Sequence, residues 1–489
     1  MAKECESCQI PVVPSTTASE HKFTALDHRR LYRKVDWRIL PLLSLCYLMS
    51  IINRSSLGNA KLMGLEAGLN LTQDGYSWAL SVFFFEPSLR SKLGYILFEV
   101  PSNLVMKAVQ PAPWLAVLVI GWGILSTAMA ANTGLESVLS IRVLIGVFQA
   151  GFLPGLLYYL TLWYDREQLI TRLAICYSAA PWASAFNGIL AYGINHMDGV
   201  KGLAAWRWLF LLEGIPTIIL GLLLWLLYAN GPATVTWLTP RERGYIQAQL
   251  AMDHVESNIN ETNCSNASAV EWNQVIDAFT DPFVYLHSLA EFGLVMPTYC
   301  LIFLSSTVIK GLGFTNLTAQ LLVVPPNVLA AIAGIANAYH SHHTHEHGLH
   351  LAIPALLGCV GFALAGIVQN HTVQYIMIIV MTPGTIVGLT INVSWMVKNI
   401  KGKTKQAVTS AMILSFGNLG GVVAGQMYRD SEAPRYLASH LANAAVLLMA
   451  ALIALGLKAV LVRKNQLYDK SAAPDKCFGC ISTQMVYST

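Results

Sequence analysis

The sequence predicts an all-α membrane protein that crosses a bilayer about twelve times, in two six-helix bundles. Three observations carry that prediction. The 489-residue chain is 54% hydrophobic and only 12% charged, with a mean hydropathy of +0.50, far more apolar than a soluble domain. Its apolar residues come in blocks of about 20, the length a helix needs to cross the hydrocarbon core. A polar stretch at 229–281 parts the first six blocks from the last six.

Taken in order, residues 1–36 are polar and lack the short apolar core and cleavage site of a signal peptide, so they read as a cytosolic segment. The blocks 37–58, 76–106, 113–132, 135–157, 172–194 and 206–228 make an N-terminal bundle at 37–228. Residues 229–281 form a central loop. The blocks 282–307, 317–339, 349–369, 373–397, 405–427 and 436–461 make a C-terminal bundle at 282–461, and 462–489 is a tail. Basic residues set the orientation. With Arg29, Arg30, Arg33 and Lys34 in the cytosol, the same side collects Lys107, Arg166, Arg172, Arg241, Arg243, Lys398, Lys401, Lys403, Lys405, Arg463, Lys464 and Lys470. Both termini are therefore expected inside, and the plasma membrane is the expected location. Asn70, Asn316 and Asn370 begin N-x-S/T sequons in outward loops and are open to glycans, whereas Asn260, Asn263 and Asn266 fall in the cytosolic loop.

The cysteines give no disulfide framework. Cys46, Cys176, Cys300 and Cys359 lie in apolar runs, as small hydrophobes do, and the pairs Cys5/Cys8 and Cys477/Cys480 lack the context of a zinc or redox site. No nucleotide-binding loop, catalytic triad or metalloprotease motif occurs in the right setting, which argues against a primary pump and against an enzyme. No cofactor, no metal and no nucleic-acid partner is expected; the lipid bilayer is.

Several stretches are similar in order and spacing to one family. They are Leu57-Gly58-Asn59-Ala60, the run Gly94 to Asn103, Arg142 to Gly155, Trp206-Arg207-Trp208-Leu209-Phe210 followed by Glu213-Gly214, and Phe416 to Gly421. Over about residues 28–465 the chain resembles the anion:cation symporter branch of the major facilitator superfamily, and within it the fungal allantoate-permease-like carriers. The resemblance implies the major facilitator fold, alternating access, and a small organic anion as substrate: allantoate, ureidosuccinate, nicotinate, pantothenate, a sugar acid or a small peptide. A monomer is expected. A transporter-like nutrient sensor and a transport-impaired paralogue are the alternatives; a sensor's usual mark is an enlarged tail, and the tail here has only about 28 residues.

Arg54 falls roughly 26 Å along the first span and Arg142 roughly 10 Å into the fourth, both in the outer half of the membrane. A buried arginine is costly unless it faces a partner or an aqueous cavity, and its fork grips a carboxylate through two parallel hydrogen bonds. Snorkelling at the interface is the other reading. The resemblance implies that this pair faces the cavity and binds the anion. The same pattern has Asp before the first arginine and Glu seven residues after the second, where this chain has Asn53 and Gln149. Amides keep the hydrogen bonding and lose the titration. Uncoupled anion uptake against an inside-negative potential costs about 2.3 kcal/mol per 100 mV. The expectation is therefore an exporter, an exchanger, or uptake of a substrate neutral overall, with Arg54 and Arg142 leaving the upper cavity positive.

Glu291, about nine residues into the seventh span, is the candidate substitute proton carrier. Asn418 and Asn392 read as pore-lining or interhelical groups. Glu99 is expected to gate or pack, and Glu213 to lie near the outer surface. Small residues in the fifth and eleventh spans (Ser178 to Gly193, Gly417 to Gly425) suit bundles that rock. Residues 85–93 place Glu86, Pro87, Arg90 and Lys92 inside the second block, which reads as a bulge that impairs transport or as a gene-model error. The histidines between His340 and His350 read as a solvated loop rather than a metal site.

Overall fold

The computed structural model describes residues 25–82, 105–106, 109–177, 179–259, 272–344, 346–400, 403–433 and 435–472. The membrane helices are α1 (Ala25–Leu62), α2 (Gln73–Ser81), α3 (Pro111–Met129), α4 (Leu135–Thr161), α5 (Arg166–Tyr177), α6 (Ala179–Asn195) and α7 (Ala205–Leu227) in the first half. The second half has α8 (Pro282–Gly311), α9 (Asn316–Leu322), α10 (Val324–Thr344), α11 (Gly348–Ile367), α12 (His371–Asn399), α13 (Lys403–Ala424) and α14 (Leu437–Ala472). Two polar helices, Pro240–Ile259 and Trp272–Thr280, lie between the halves. Among the described residues, nine helical stretches are long and apolar enough to cross a membrane. The fifth expected span is α5 with α6, the eleventh is α13, whose apolar part is Val408–Ala424, and the second enters as α2. The rest of that second span, with Glu99 and residues 85–93, lies outside the described residues, as do the terminal cysteine pairs and Asn260, Asn263 and Asn266.

Short polar side chains start several helices. Thr72, Asp281, Thr315 and Asn370 each accept a backbone N–H from the first turn of α2, α8, α9 and α12, satisfying donors that a helix start leaves open. Proline follows Asp281 as the first residue of α8, where its missing N–H costs nothing. Cys46, Cys176 and Cys300 are buried in helix packing, as small hydrophobes are. α8 is the most enclosed span, 78% buried over its apolar window, against 39% for α7 and 33% for α14. The outer face of α7 exposes Leu212, Ile215, Ile219, Leu222 and Leu226 at helical spacing, an apolar stripe that only lipid covers well.

The two halves meet at one end. A β-carbon built on Gly58 of α1 would lie 1.9 Å from the carbonyl oxygen of Phe303 on α8. One built on Gly188 of α6 would lie 2.7 Å from the carbonyl of Gln320 on α9. Across α2 and α13, Ser81 Oγ donates to the carbonyl of Val422 at 3.0 Å and accepts from Gln426 Nε2 at 2.8 Å. Asn316 donates to the carbonyl of Leu62 at 2.9 Å. The Gly58–Phe303 and Asn316–Leu62 contacts lie toward the ends of α1 and α8, remote from the first residue of either helix.

The histidine segment is ordered rather than a solvated loop. Glu346 accepts from Lys458 of α14 at 2.7 Å and lies 2.9 Å from His350 Nδ1; His340 Nδ1 is 2.6 Å from His350 Nε2. Ser341 donates to the carbonyl of Glu346, and Lys398 of α12 meets His347 at 3.0 Å. These bonds tie α10, α11, α12 and α14 together at the end opposite the closed contacts. Burial pushes the Glu346 carboxyl up, but Lys458, the Leu349 N–H and His350 pull it further down, below the usual carboxylate range.

Candidate functional site

Arg54 and Tyr299 link the halves directly beneath the closed end. Arg54 Nη1 donates to the Tyr299 hydroxyl at 3.0 Å. Each residue is four positions before the partner in the Gly58–Phe303 contact, so the pair sits about 5.4 Å, one helical turn, below it. On the first-half side, Gln149 Oε1 accepts from Arg54 Nε at 3.1 Å and from Ser50 Oγ at 3.0 Å. Two donors on one oxygen fix which end of the amide is which. The Nε2 of Gln149 and the Nδ2 of Asn53 are then buried donors with no acceptor among the described residues. Buried donors of that kind cost free energy unless something accepts from them.

Asn418 on α13 is exposed and lies one turn before Val422, the residue that meets Ser81 of the first half. Its neighbour Gly417 packs against Glu291 and Val295 of α8, so Asn418 lies about a turn or more below the level of Tyr299 and Arg54.

Arg142 stands apart from Arg54. It is only 2% exposed, and its Nη1 reaches the carbonyl of Asn53 at 3.5 Å, the long limit of a hydrogen bond. Its electrostatic partners are Tyr76 and Glu213. Glu213 is not near the surface: it is 1% exposed and accepts from the Ser56 hydroxyl of α1. Trp206 opens α7, and seven further residues carry Glu213 about 10 Å along the helix. Among the described residues the first half therefore buries one glutamate within electrostatic reach of Arg142, with no ion pair between the two. Counting rise per residue from Trp206 could have found this.

Glu291 is 3% exposed on α8, with Gly417 of α13 against its side chain. Asn392 Nδ2 on α12 donates to Glu291 Oε2 at 2.8 Å and to the backbone carbonyl of His287 at 3.0 Å. Its Oδ1 lies 2.7 Å from His287 Nδ1. The His287 ring packs edge-on against Trp395, 5.2 Å between centroids. His287 was not singled out from the sequence; its place four residues before Glu291, on one helix face, was the available signal. Among the described residues no cluster of three or more His, Cys, Asp or Glu side chains is placed to hold a metal.

Comparison with known proteins agrees with this architecture. The family model described as Major Facilitator Superfamily matches residues 43–425. The MFS transporter prlL of a fungal species (strain NRRL 50135) is 31% identical over 90% of this chain and 88% of its own length. The MFS-type transporter cnsO of Penicillium expansum is 33% identical over 85% and 80%. The putative metabolite transport protein NicT of Pseudomonas putida is 30% identical over 86% and 91%. Among solved structures, a bacterial homologue of the human lysosomal transporter Spinster superposes with a TM-score of 0.64 at 15% identity, covering 87% and 96%. A D-xylose–proton symporter superposes with a TM-score of 0.61 at 13% identity, covering 86% and 97%; both likenesses are of fold. These relatives are transporters and not enzymes, and the chain, with its two sets of membrane helices, belongs to the Major Facilitator Superfamily.

Proposed function

We propose that this protein is a carrier of a small organic anion, of the anion:cation symporter type, working by alternating access with both termini in the cytosol of the plasma membrane. The observation that carries the reading is the position of Arg54. It bridges Gln149 and Tyr299 across the halves one turn below their closed contact, beside the unmet buried donors of Gln149 and Asn53. A carboxylate bound there takes the guanidinium fork in place of Tyr299 and accepts from those amides. Asn418, about a turn lower on α13, is the polar group of the second half proposed to line the path below it. Arg142 acts one layer back: against Asn53 and Glu213 it holds the floor of the site.

A state in which the halves are closed on each other toward the ends of α1 and α8 is one of the two such a carrier needs. Substrate binding between the halves supports exchange between them, because the ligand replaces a cross-half bond, Arg54 to Tyr299, rather than adding to it. Concentrating an anion inside a negative cell requires a coupled cation, about 2.3 kcal/mol per 100 mV for each charge. Glu291 is the acid proposed for that task, since Asn53 and Gln149 do not titrate. The test is counterflow of labelled nicotinate, pantothenate, allantoate and gluconate into proteoliposomes preloaded with the same unlabelled compound. Exchange of at least one of these carboxylates, and none of a neutral sugar, is the expected result. Exchange of the sugar alone would overturn the reading.

A further inference from the structure

The second half buries a polar cluster that anion binding does not use. We infer that His287, Asn392 and Glu291 form a proton-holding site, in which Glu291 keeps the exchangeable proton and His287 delivers it. The inference deepens the coupling role given to Glu291 above and rests on it. It also gives His287 a task that no sequence motif assigns.

The bonding around Asn392 fixes the states. Its Nδ2 donates to the carbonyl of His287 and to Glu291 Oε2, so its Oδ1 is the acceptor facing His287 Nδ1. The neutral imidazole is therefore protonated on Nδ1 and carries its lone pair on Nε2. His287 lies about 7.5 Å and Glu291 about 13.5 Å from the first residue of α8, so the imidazole stands between the acid and the start of the helix.

Several charged groups on the packed elements have partners of their own. On α13, Lys405 pairs with Asp281 at 2.8 Å, at the start of α8. On α14, Lys464 lies over the Phe283 ring at 4.4 Å. On α12, Lys398 meets His347; on α1, Arg54 meets Tyr299. α9 carries no ionisable side chain. Asp281 is the acid that acts on His287 across space. Among the described residues no Lys or Arg bonds Glu291, whose one side-chain partner is the amide of Asn392. An ionised carboxylate enclosed without a cation costs far more than the neutral acid, whereas an amide and an imidazole tolerate either form.

The step is a plain proton transfer. Hydronium reaching the cluster from the side of the α8 start gives its proton to Nε2 of neutral His287 and leaves as water. The imidazolium then turns off Asn392 and passes its Nδ1 proton to the Glu291 carboxylate, forming a carboxylic acid and a neutral imidazole. The reverse sequence releases the proton.

Infrared difference spectroscopy on the purified full-length protein, titrated with acid and with no substrate added, tests the site. The wild type should show a carboxylic-acid C=O band that titrates, absent from Glu291→Gln. In His287→Gln, which keeps a bonding partner for Asn392, the band should persist with its midpoint moved by at least about one pH unit, a tenfold change in proton affinity. If Glu291→Gln does not fold, Glu291→Asp keeps an acid and must move the band. A band that survives Glu291→Gln, or ignores Glu291→Asp, or an unmoved midpoint in His287→Gln, overturns the inference. Because no substrate is present, that outcome leaves the anion reading standing; failure of counterflow would leave the proton site standing.

Discussion

Among the described residues each half buries one glutamate, and the two are surrounded differently. Glu213, 1% exposed on α7, takes a hydroxyl from Ser56 and faces the guanidinium of Arg142. Glu291, 3% exposed on α8, takes an amide from Asn392, which in turn holds His287. A carboxylate against a guanidinium is balanced in one charge state, and changing that state strands its partner. A carboxylate against an amide and an imidazole can change state with its neighbours still bonded. On the proposed reading the contrast divides the labour: the first half fixes charge to build a binding floor under Arg54, and the second half keeps an acid that is free to exchange. It also moves the acid of the first half away from positions 53 and 149, where the family resemblance expected it, to α7.

The largest effect belongs to the closed end, since both sites depend on the halves meeting there. Gly58→Leu drives side-chain atoms into the Phe303 carbonyl, a backbone atom that cannot step aside. Counterflow should fall at least about tenfold, as a defect of about 1.4 kcal/mol gives. Normal counterflow would mean that the Gly58 contact is not part of the cycle.

Next comes the fixed acid. Glu213→Gln removes the acid within electrostatic reach of Arg142 and weakens the bond from Ser56, and should cost about 1–3 kcal/mol of stability, read as a lower thermal unfolding temperature in detergent. A fully stable Glu213→Gln that loses only its response to a pH gradient would reverse the division between the two glutamates.

Glu291→Gln is nearly isosteric and keeps an acceptor for Asn392. It should leave counterflow at the wild-type rate while abolishing accumulation under an imposed pH gradient. If wild type and mutant accumulate substrate alike, the coupling assigned to the second half is wrong. If neither responds to the gradient and both exchange, the protein is an exchanger.

The smallest effect is at the membrane surface. The Glu346 carboxyl is held below its ordinary range, so its ion pair with Lys458 stabilises the protein above the unfolded carboxylate pKa. That stability is lost as pH falls through the lowered folded value. Lys458→Met should cost at most about 1 kcal/mol at neutral pH, and less in acid. An equal loss at both pH values would assign the effect to packing.

The spans were legible because the bilayer imposes their length: the block at 206–228 became Ala205–Leu227, and that at 282–307 became Pro282–Gly311. Which face of each helix turns inward was much less legible, since these helices are apolar nearly all round. Arg54, Asn53 and Gln149 were picked out on one sequence pattern, and the structure brings them together. Glu213 was misplaced because its neighbours in sequence, Trp206 and Arg207, sit at the interface, while its partners Ser56 and Arg142 come from other helices. His287 was missed for the same reason: Asn392 is over a hundred residues away and only folding makes it a neighbour. The histidine segment read as solvated because its anchor, Lys458, belongs to another span.

The most direct test is carboxylate counterflow into proteoliposomes, comparing wild type with Arg54→Gln. Arg54 is the group that joins substrate chemistry to the contact between halves. The prediction is exchange of an organic carboxylate in the wild type, reduced at least about tenfold in Arg54→Gln, as loss of one charge-assisted hydrogen bond of about 1.5 kcal/mol or more implies. Exchange at the wild-type rate in Arg54→Gln would contradict it.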